Sequence, residues 1–163
     1  MLLPLASSIR WGVGLDYDHR MVNAATRICR QTPHRNLDFY VFDLDREPLE
    51  LIENFLPDGK ADICFLLSVC MWLDRWQDVV HHAASLSSEL LFEANGTAEQ
   101  QRAQESLLRS LYYDVHRLSD ASEDDAVQKQ RKLFRCEKPK VSAPRQLYPV
   151  TMPSMRSRRL ASG

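Results

Sequence analysis

Cysteine and histidine are too scattered in this chain to suggest a metal centre. Cys29, Cys64, Cys70 and Cys136 lie far apart or inside apolar runs, with no C-x-x-C pair and no zinc-like histidine spacing. They read as buried free thiols in a reducing compartment. His81-His82 is the only adjacent histidine pair. Neighbouring helical positions point about 100° apart, so the two rings cannot easily meet one ion. No apolar run approaches the roughly 20 residues of a membrane span, and the apolar start, Met1 to Ala6, lacks a basic flank. Neither a signal peptide nor a membrane helix is expected, and a cytoplasmic location is the default. Positive charge is also scarce where it would matter. Residues 1–137 hold 15 basic against 22 acidic side chains, a net of −7. An acidic body without an aromatic ladder is a poor match for phosphate backbones, so nucleic acid is not an expected partner. No repeat of 20–50 residues is present.

What remains is ordinary globular material. Apolar residues make up 44% and charged residues 26% of 163 positions, enough for one domain with one core. That domain is expected over residues 1–138. From Lys138 onward the chain has six basic and no acidic residues and gathers four prolines among serines, so residues 139–163 read as a disordered basic tail. Its Arg156-Ser157-Arg158-Arg159 cluster reads first as a solvated terminus and second as a contact for an acidic partner or a localisation signal.

Within the domain, strand and helix patterns alternate. Residues 9–15 read as a strand ending in Asp16-Tyr17-Asp18. Met21, Val22, Ala25, Ile28 and Cys29 then recur at helical spacing behind Asp18, a suitable N-cap. Leu37 to Phe42 is a second strand, closed by Asp43-Leu44-Asp45 and followed by a short helix around Leu49 to Leu56. Ile63 to Val69 is a nearly unbroken apolar strand, as in the middle of a parallel sheet. A helix containing Trp76, Val79, Val80, Ala83 and Ala84 leads to a strand over Ser88 to Ala94. Thr97 and Gln100 have the spacing of a capping box, opening a helix to about Leu111. Val115 to Leu118 and Lys132 to Cys136, flanking the polar stretch Ser119 to Gln130, resemble an antiparallel pair at a sheet edge. The class is α/β: a mostly parallel sheet with helices on both faces and a closing antiparallel pair.

Right-handed crossovers would bring residues 15–18, 42–45, 67–72 and 93–96 to one edge, where such sheets bind ligands. Three of these strand ends are acidic: Asp16 and Asp18, Asp43 and Asp45, and Glu93. The two oxygens of a carboxylate match a vicinal diol, which suits Asp16 to a ribose. Capping the following helix is its alternative task, for which Asp18 is better spaced.

The runs Val13-Gly14-Leu15-Asp16-Tyr17-Asp18 and Met21 to Ala25, then Phe39 to Asp45, Asp62 to Trp72, Ser88 to Gly96 and Lys132 to Lys138, together resemble the class I S-adenosylmethionine-dependent methyltransferases. The order and spacing of these motifs over residues 1–138 carry the resemblance. It implies a Rossmann-like methyltransferase sheet with S-adenosylmethionine as cofactor. Asp16 would hold the ribose, Tyr17 would lie against the adenine, and Asp43 with the Leu44 backbone would meet the adenine edge. Leu67 and Ser68 would border the methionine part, and Trp72 would approach the methyl group, where an aromatic face favours a sulfonium cation. Core packing is the competing reading for Trp72 and Trp76. Glu93 and Asn95 are candidate catalytic residues near the acceptor, Glu93 as a base; surface polarity and an Asn95-Gly96 turn are the plainer reading.

The same resemblance implies a first strand and a glycine-rich turn at the methionine end of the cofactor. Only 15 residues precede Asp16, Met1 to Ser7 reads as the end of the first helix, and Gly12 and Gly14 sit within the next strand. The expectation is therefore a truncated domain with impaired methyl transfer, whose adenosine half is intact and whose sheet a partner chain could complete. The acceptor is expected to be a small molecule or saccharide-linked. A non-catalytic interaction module is the alternative. A nicotinamide-dependent oxidoreductase fits less well, given the Glu93 to Gly96 ending and the closing antiparallel strands.

Overall fold

The computed structural model describes residues 2–121 and 131–140. The expected basic tail, apart from Pro139 and Lys140, and most of the polar stretch Ser119 to Gln130 lie outside the described residues. A short helix α1 (Leu2–Leu5) precedes β1 (Gly12–Asp16), α2 (His19–Arg30) and β2 (Leu37–Val41). A 3-10 helix (Leu49–Phe55), β3 (Ala61–Leu67), α3 (Trp76–Leu86), β4 (Ser87–Glu93), α4 (Ala98–Leu111), β5 (Tyr112–Ser119) and β6 (Leu133–Pro139) follow.

The strands form two pieces of sheet. β1 and β2 pair in parallel, with Gly12 opposite Leu37 and Asp16 opposite Val41. The other piece has the order β3-β4-β6-β5: β3 and β4 are parallel, while β6 runs antiparallel to both β4 and β5. The expected alternation and closing antiparallel pair are present. β5 begins three residues earlier than expected because α4 passes directly into it: Tyr112 is both the C-cap of the helix, in extended conformation, and a buried strand residue.

Strand alternation separates the two helix layers: Gly14 of β1 and Leu37 and Phe39 of β2 turn toward one apolar cluster, whereas Leu15 and Phe42 pack on a second, larger one. α1 and α2 accordingly enclose a small cluster of Ala6, Cys29 and Leu37 with Leu2, Leu3, Ile9 and Phe39. β1 approaches this layer closely: a Cβ at Gly14 would lie 2.6 Å from the Phe39 ring, a separation only glycine allows. The 3-10 helix, α3 and α4 share the other face and form the main core with Phe42, Leu66, Leu90, Phe92, Phe134 and Cys136. Phe55 of the 3-10 helix stacks on Tyr40 at 4.3 Å between centroids and meets Phe42 edge-on at 6.0 Å. Among the described residues, the expected covering on both faces therefore holds over β1 and β2 only. On β3, Ile63 is 43% exposed on the face turned away from the main core.

Local signals determine the helix starts. Asp18 caps α2 by accepting from the Arg20 N–H at 2.9 Å. The Arg20 guanidinium, hydrogen-bonded to the same carboxylate, holds the Asp18 carboxyl down at about 2. The Asp18 contribution is therefore complete above the usual carboxylate range and is lost as pH falls through about 2. Thr97 and Gln100 form the expected capping box, at 3.2 Å and 2.7 Å. Replacing Thr97 by Ala is expected to cost about 1 kcal/mol in urea unfolding, with no change in the slope of the transition.

The thiols are all free, and Cys29, Cys70 and Cys136 are buried. Burial pushes Cys64 up to about 11 and Cys70 and Cys136 up to about 12. These three are expected to react with a disulfide reagent at neutral pH at least about tenfold more slowly than in urea-unfolded protein, read as thiolate release.

Candidate functional site

The carboxyl ends of the parallel strands form two clusters of polar groups, one after β1 and β2, the other after β3 and β4. At the first, the Phe42 N–H donates to the Asp16 backbone carbonyl at 2.9 Å, which fixes Asp43 and Leu44 beside Asp16. One Asp16 carboxylate oxygen accepts from the Asp18 N–H at 2.9 Å, holding the turn into α2. The other has no hydrogen-bond partner among the described residues. Asp43 is similarly part-committed: Oδ1 accepts from the Asp45 N–H at 3.0 Å, and the Arg46 guanidinium lies 3.5 Å from Oδ2. The Asp43 N–H donates to Glu47, whereas the Leu44 N–H has no partner among the described residues. Tyr17, next to Asp16 in the chain, is 77% exposed. The Leu44 side chain packs on the main core and anchors the loop.

The second cluster is more tightly tied. Ser68, directly after β3, sits in the left-handed region, φ 57°, a conformation that costs about 1–3 kcal/mol outside glycine. Its hydroxyl donates to the Glu93 carboxylate at the end of β4 and accepts from the Arg131 guanidinium, which also pairs with Glu93 at 3.3 Å. All three side chains are largely shielded from solvent at this edge. Asn95 is buried: its Oδ1 accepts from the Met71 N–H at 3.0 Å, and its backbone exchanges two 3.0 Å hydrogen bonds with the Gln104 side chain. It therefore braces the loop after β3 against α4. Gly96, at φ 91°, completes the turn expected there. Asp45 accepts from the Arg75 N–H at 3.2 Å and ties the first cluster to the loop before α3.

The structure thus brings Asp16, Tyr17, Asp43 and Leu44 together, and Leu67, Ser68, Glu93 and Asn95 together. Trp72, at 74% exposure, stands clear of the core, and the packing alternative falls to Trp76, which is half-buried against the main core. Arg131 is the site residue that sequence reasoning missed. It lies at the end of a polar stretch without periodicity, and only the pairing of β6 with β4 carries it to Glu93. A groove on the outside of α2, lined by His19, Asn23 and Arg27, contains none of these residues. Among the described residues no group of His, Cys, Asp and Glu could hold a metal ion, and no helix is long and apolar enough to cross a membrane.

The donor set fits the adenosine part of a nucleoside cofactor. A free carboxylate oxygen suits a ribose diol, a free main-chain N–H and an adjacent carboxylate suit an adenine edge, and an exposed ring suits stacking.

No protein-family model and no curated protein matches the sequence. Solved structures do. WbdD, described as a bifunctional kinase-methyltransferase, superposes on 83% of this chain with a TM-score of 0.62 and 17% identity, over 32% of its own length. The N-terminal domain of EvdMO1 with SAH bound gives 0.59 and 9% over 77% of this chain and 64% of that one. Magnesium protoporphyrin IX methyltransferase from Synechocystis PCC 6803, also with bound SAH, gives 0.56 and 14% over 83% and 67%. The chain spans about a third of the WbdD chain. Strand order, the closing antiparallel pair and these superpositions together show that the chain has the Rossmann-like fold of the class I S-adenosylmethionine-dependent methyltransferases.

Proposed function

We propose that this chain binds S-adenosylmethionine through its adenosine moiety and serves methyl transfer to a small-molecule or saccharide-linked acceptor. The observation that carries the reading is the pairing of a free Asp16 carboxylate oxygen with a free Leu44 N–H across the ends of two adjacent strands. Asp16 would hold the ribose, Asp43 and Leu44 the adenine edge, and Tyr17 its face. Leu67, Ser68 and Trp72 would border the methionine side. The cofactor would supply an activated, sulfonium-bound methyl group. The chain's own contribution is orientation, and Glu93 stands where it could take the acceptor's proton. Support for the acceptor class is the acidic surface and, by analogy of fold, the crystallisation of the EvdMO1 domain in the presence of SAH and D-fucose.

One observation favours the non-catalytic alternative. Glu93 is held by Ser68 and Arg131, so it acts as a base only if that contact opens. Calorimetric titration with adenosine and with SAH tests the proposal. Saturable binding of both is expected, with SAH gaining no more than about tenfold, roughly 1.4 kcal/mol, because Ser68 and Glu93 on the methionine side are already hydrogen-bonded to each other and to Arg131. Absence of saturable binding by folded protein would sink the cofactor reading. Tighter binding of a nicotinamide dinucleotide than of SAH would move the chain to another class.

A further inference from the structure

We infer that Arg131 selects the acceptor: its guanidinium takes a carboxylate of the incoming molecule in exchange for Glu93, which is left to accept a hydrogen bond from an acceptor hydroxyl. This role rests on the proposed methyl transfer, and it narrows the acceptor to hydroxy acids, sugar acids among them.

As a stabilising device the knot of Ser68, Glu93 and Arg131 is costly. The Arg131 and Glu93 side chains are only 12% and 15% exposed, so both charges have given up most of their hydration. Neutral side chains of similar volume commonly stabilise such a place as well as an ion pair does. Ser68 adds the cost of its left-handed backbone. What the knot retains is a guanidinium at the carboxyl ends of β3 and β4, a planar fork that matches a carboxylate and is met by one from the chain itself. A ligand carboxylate is the same chemical partner. Glu93 therefore occupies the seat of one.

The surroundings make that seat specific. Main chain is fixed on both sides of it: Glu93 lies opposite Leu133, and the Ala94 N–H donates to the Lys132 carbonyl at 2.9 Å. Exchange then needs rotation of the Arg131 side chain and no opening of the sheet. Ser68 donates to Glu93 and keeps that carboxylate in place when the guanidinium turns away. Lys132, next in the chain, is paired with Glu105 at 3.3 Å and does not compete for Glu93. At the neighbouring strand ends Arg20 and Arg46 are spent on Asp18 and Asp43, and Asp16 adds a further negative charge. A carboxylate on the acceptor is repelled there and held at Arg131, so the acceptor has one orientation, with its hydroxyl beside Glu93.

Titration with D-glucuronate and with D-glucose, which differ only in a carboxylate in place of a hydroxymethyl group, tests the exchange by ligand-observed nuclear magnetic resonance. The proteins are the wild-type chain, Glu93→Gln, and the double variant Glu93→Gln/Arg131→Gln. Glutamine at 93 keeps an oxygen for Ser68 and removes the competing charge. The wild type should favour glucuronate over glucose, Glu93→Gln should widen that preference by about tenfold, and the double variant should abolish it. Saturating SAH should leave all three results unchanged. The double variant holds no lone charge in the cluster, so its comparison with wild type decides the matter even if Glu93→Gln fails to fold. A preference that is absent from wild type and Glu93→Gln alike, or that survives in the double variant, would overturn the proposal. So would a gain in Glu93→Gln confined to SAH over adenosine, which would give the seat to the carboxylate of the cofactor. If glucuronate binding follows Arg131 while neither adenosine nor SAH binds, the carboxylate seat is supported and the cofactor reading falls.

Discussion

Phe134→Ala is expected to remove about 3–5 kcal/mol of stability, enough to unfold much of the population of a small domain with a total of roughly 5–15. The reason is position in the sheet. Leu66, Phe92 and Phe134 lie side by side on β3, β4 and β6, and both phenylalanines are 0% exposed. The helices close over this row with Val80, Ala84 and Leu108, all but completely buried. Alanine at 134 would leave a ring-sized cavity whose rim belongs to three strands and two helices, and rigid elements on all sides limit collapse. Ile63→Ala supplies the contrast, since Ile63 is 43% exposed and should cost under about 1 kcal/mol. Guanidinium unfolding of the two variants separates these cases. Equal losses would show that the two faces of the sheet are not buried as described.

The contrast between these residues also shows what sequence patterning conveys. Ile63 to Val69 reads as a nearly unbroken apolar run, which predicts a strand covered on both sides. The strand is there, but the apolar pattern reports the environment in which it is stable, and one side of that environment is missing among the described residues. Local chemistry was more legible. Asp18 and Thr97 announce helix starts because a cap requires only a side chain and main-chain donors a few residues away. The 3-10 form of Leu49–Phe55 is not visible in the sequence, which gives only a short helix there; its Phe55 packs on Tyr40 and Phe42, residues distant in the chain.

For the site, acidic strand ends could be found because a carboxylate following an apolar run marks the edge of a sheet. Asp16, Asp43 and Glu93 were found this way. Which of their oxygens are already spent could not be found, since that depends on turn geometry: Asp18 and Asp45 return their own N–H groups to Asp16 and Asp43. Asn95 shows the same limit. Its sequence context gives a turn, whereas its burial and its bonds to Met71 and Gln104 arise from the packing of α4 against the loop after β3.

Asp16→Asn is expected to weaken adenosine binding by about 10- to 100-fold, the range for losing a charged acceptor, roughly 1.5–3 kcal/mol. Asparagine is the informative replacement because its carbonyl can keep the 2.9 Å bond from the Asp18 N–H, so the entrance to α2 remains intact. Alanine would remove that support as well and confuse binding with folding. If the free oxygen of Asp16 accepts from the ribose, 2′-deoxy- or 3′-deoxyadenosine should lose affinity on wild-type protein, but the corresponding loss should shrink on the Asn variant. That coupling, measured by calorimetry as a double-mutant cycle with the ligand as one partner, isolates the contact. Independent losses would assign the ribose to another group. Loss of binding with no dependence on the ribose hydroxyls would reduce Asp16 to a turn residue, leaving Tyr17, Asp43 and Leu44 to account for any adenine recognition.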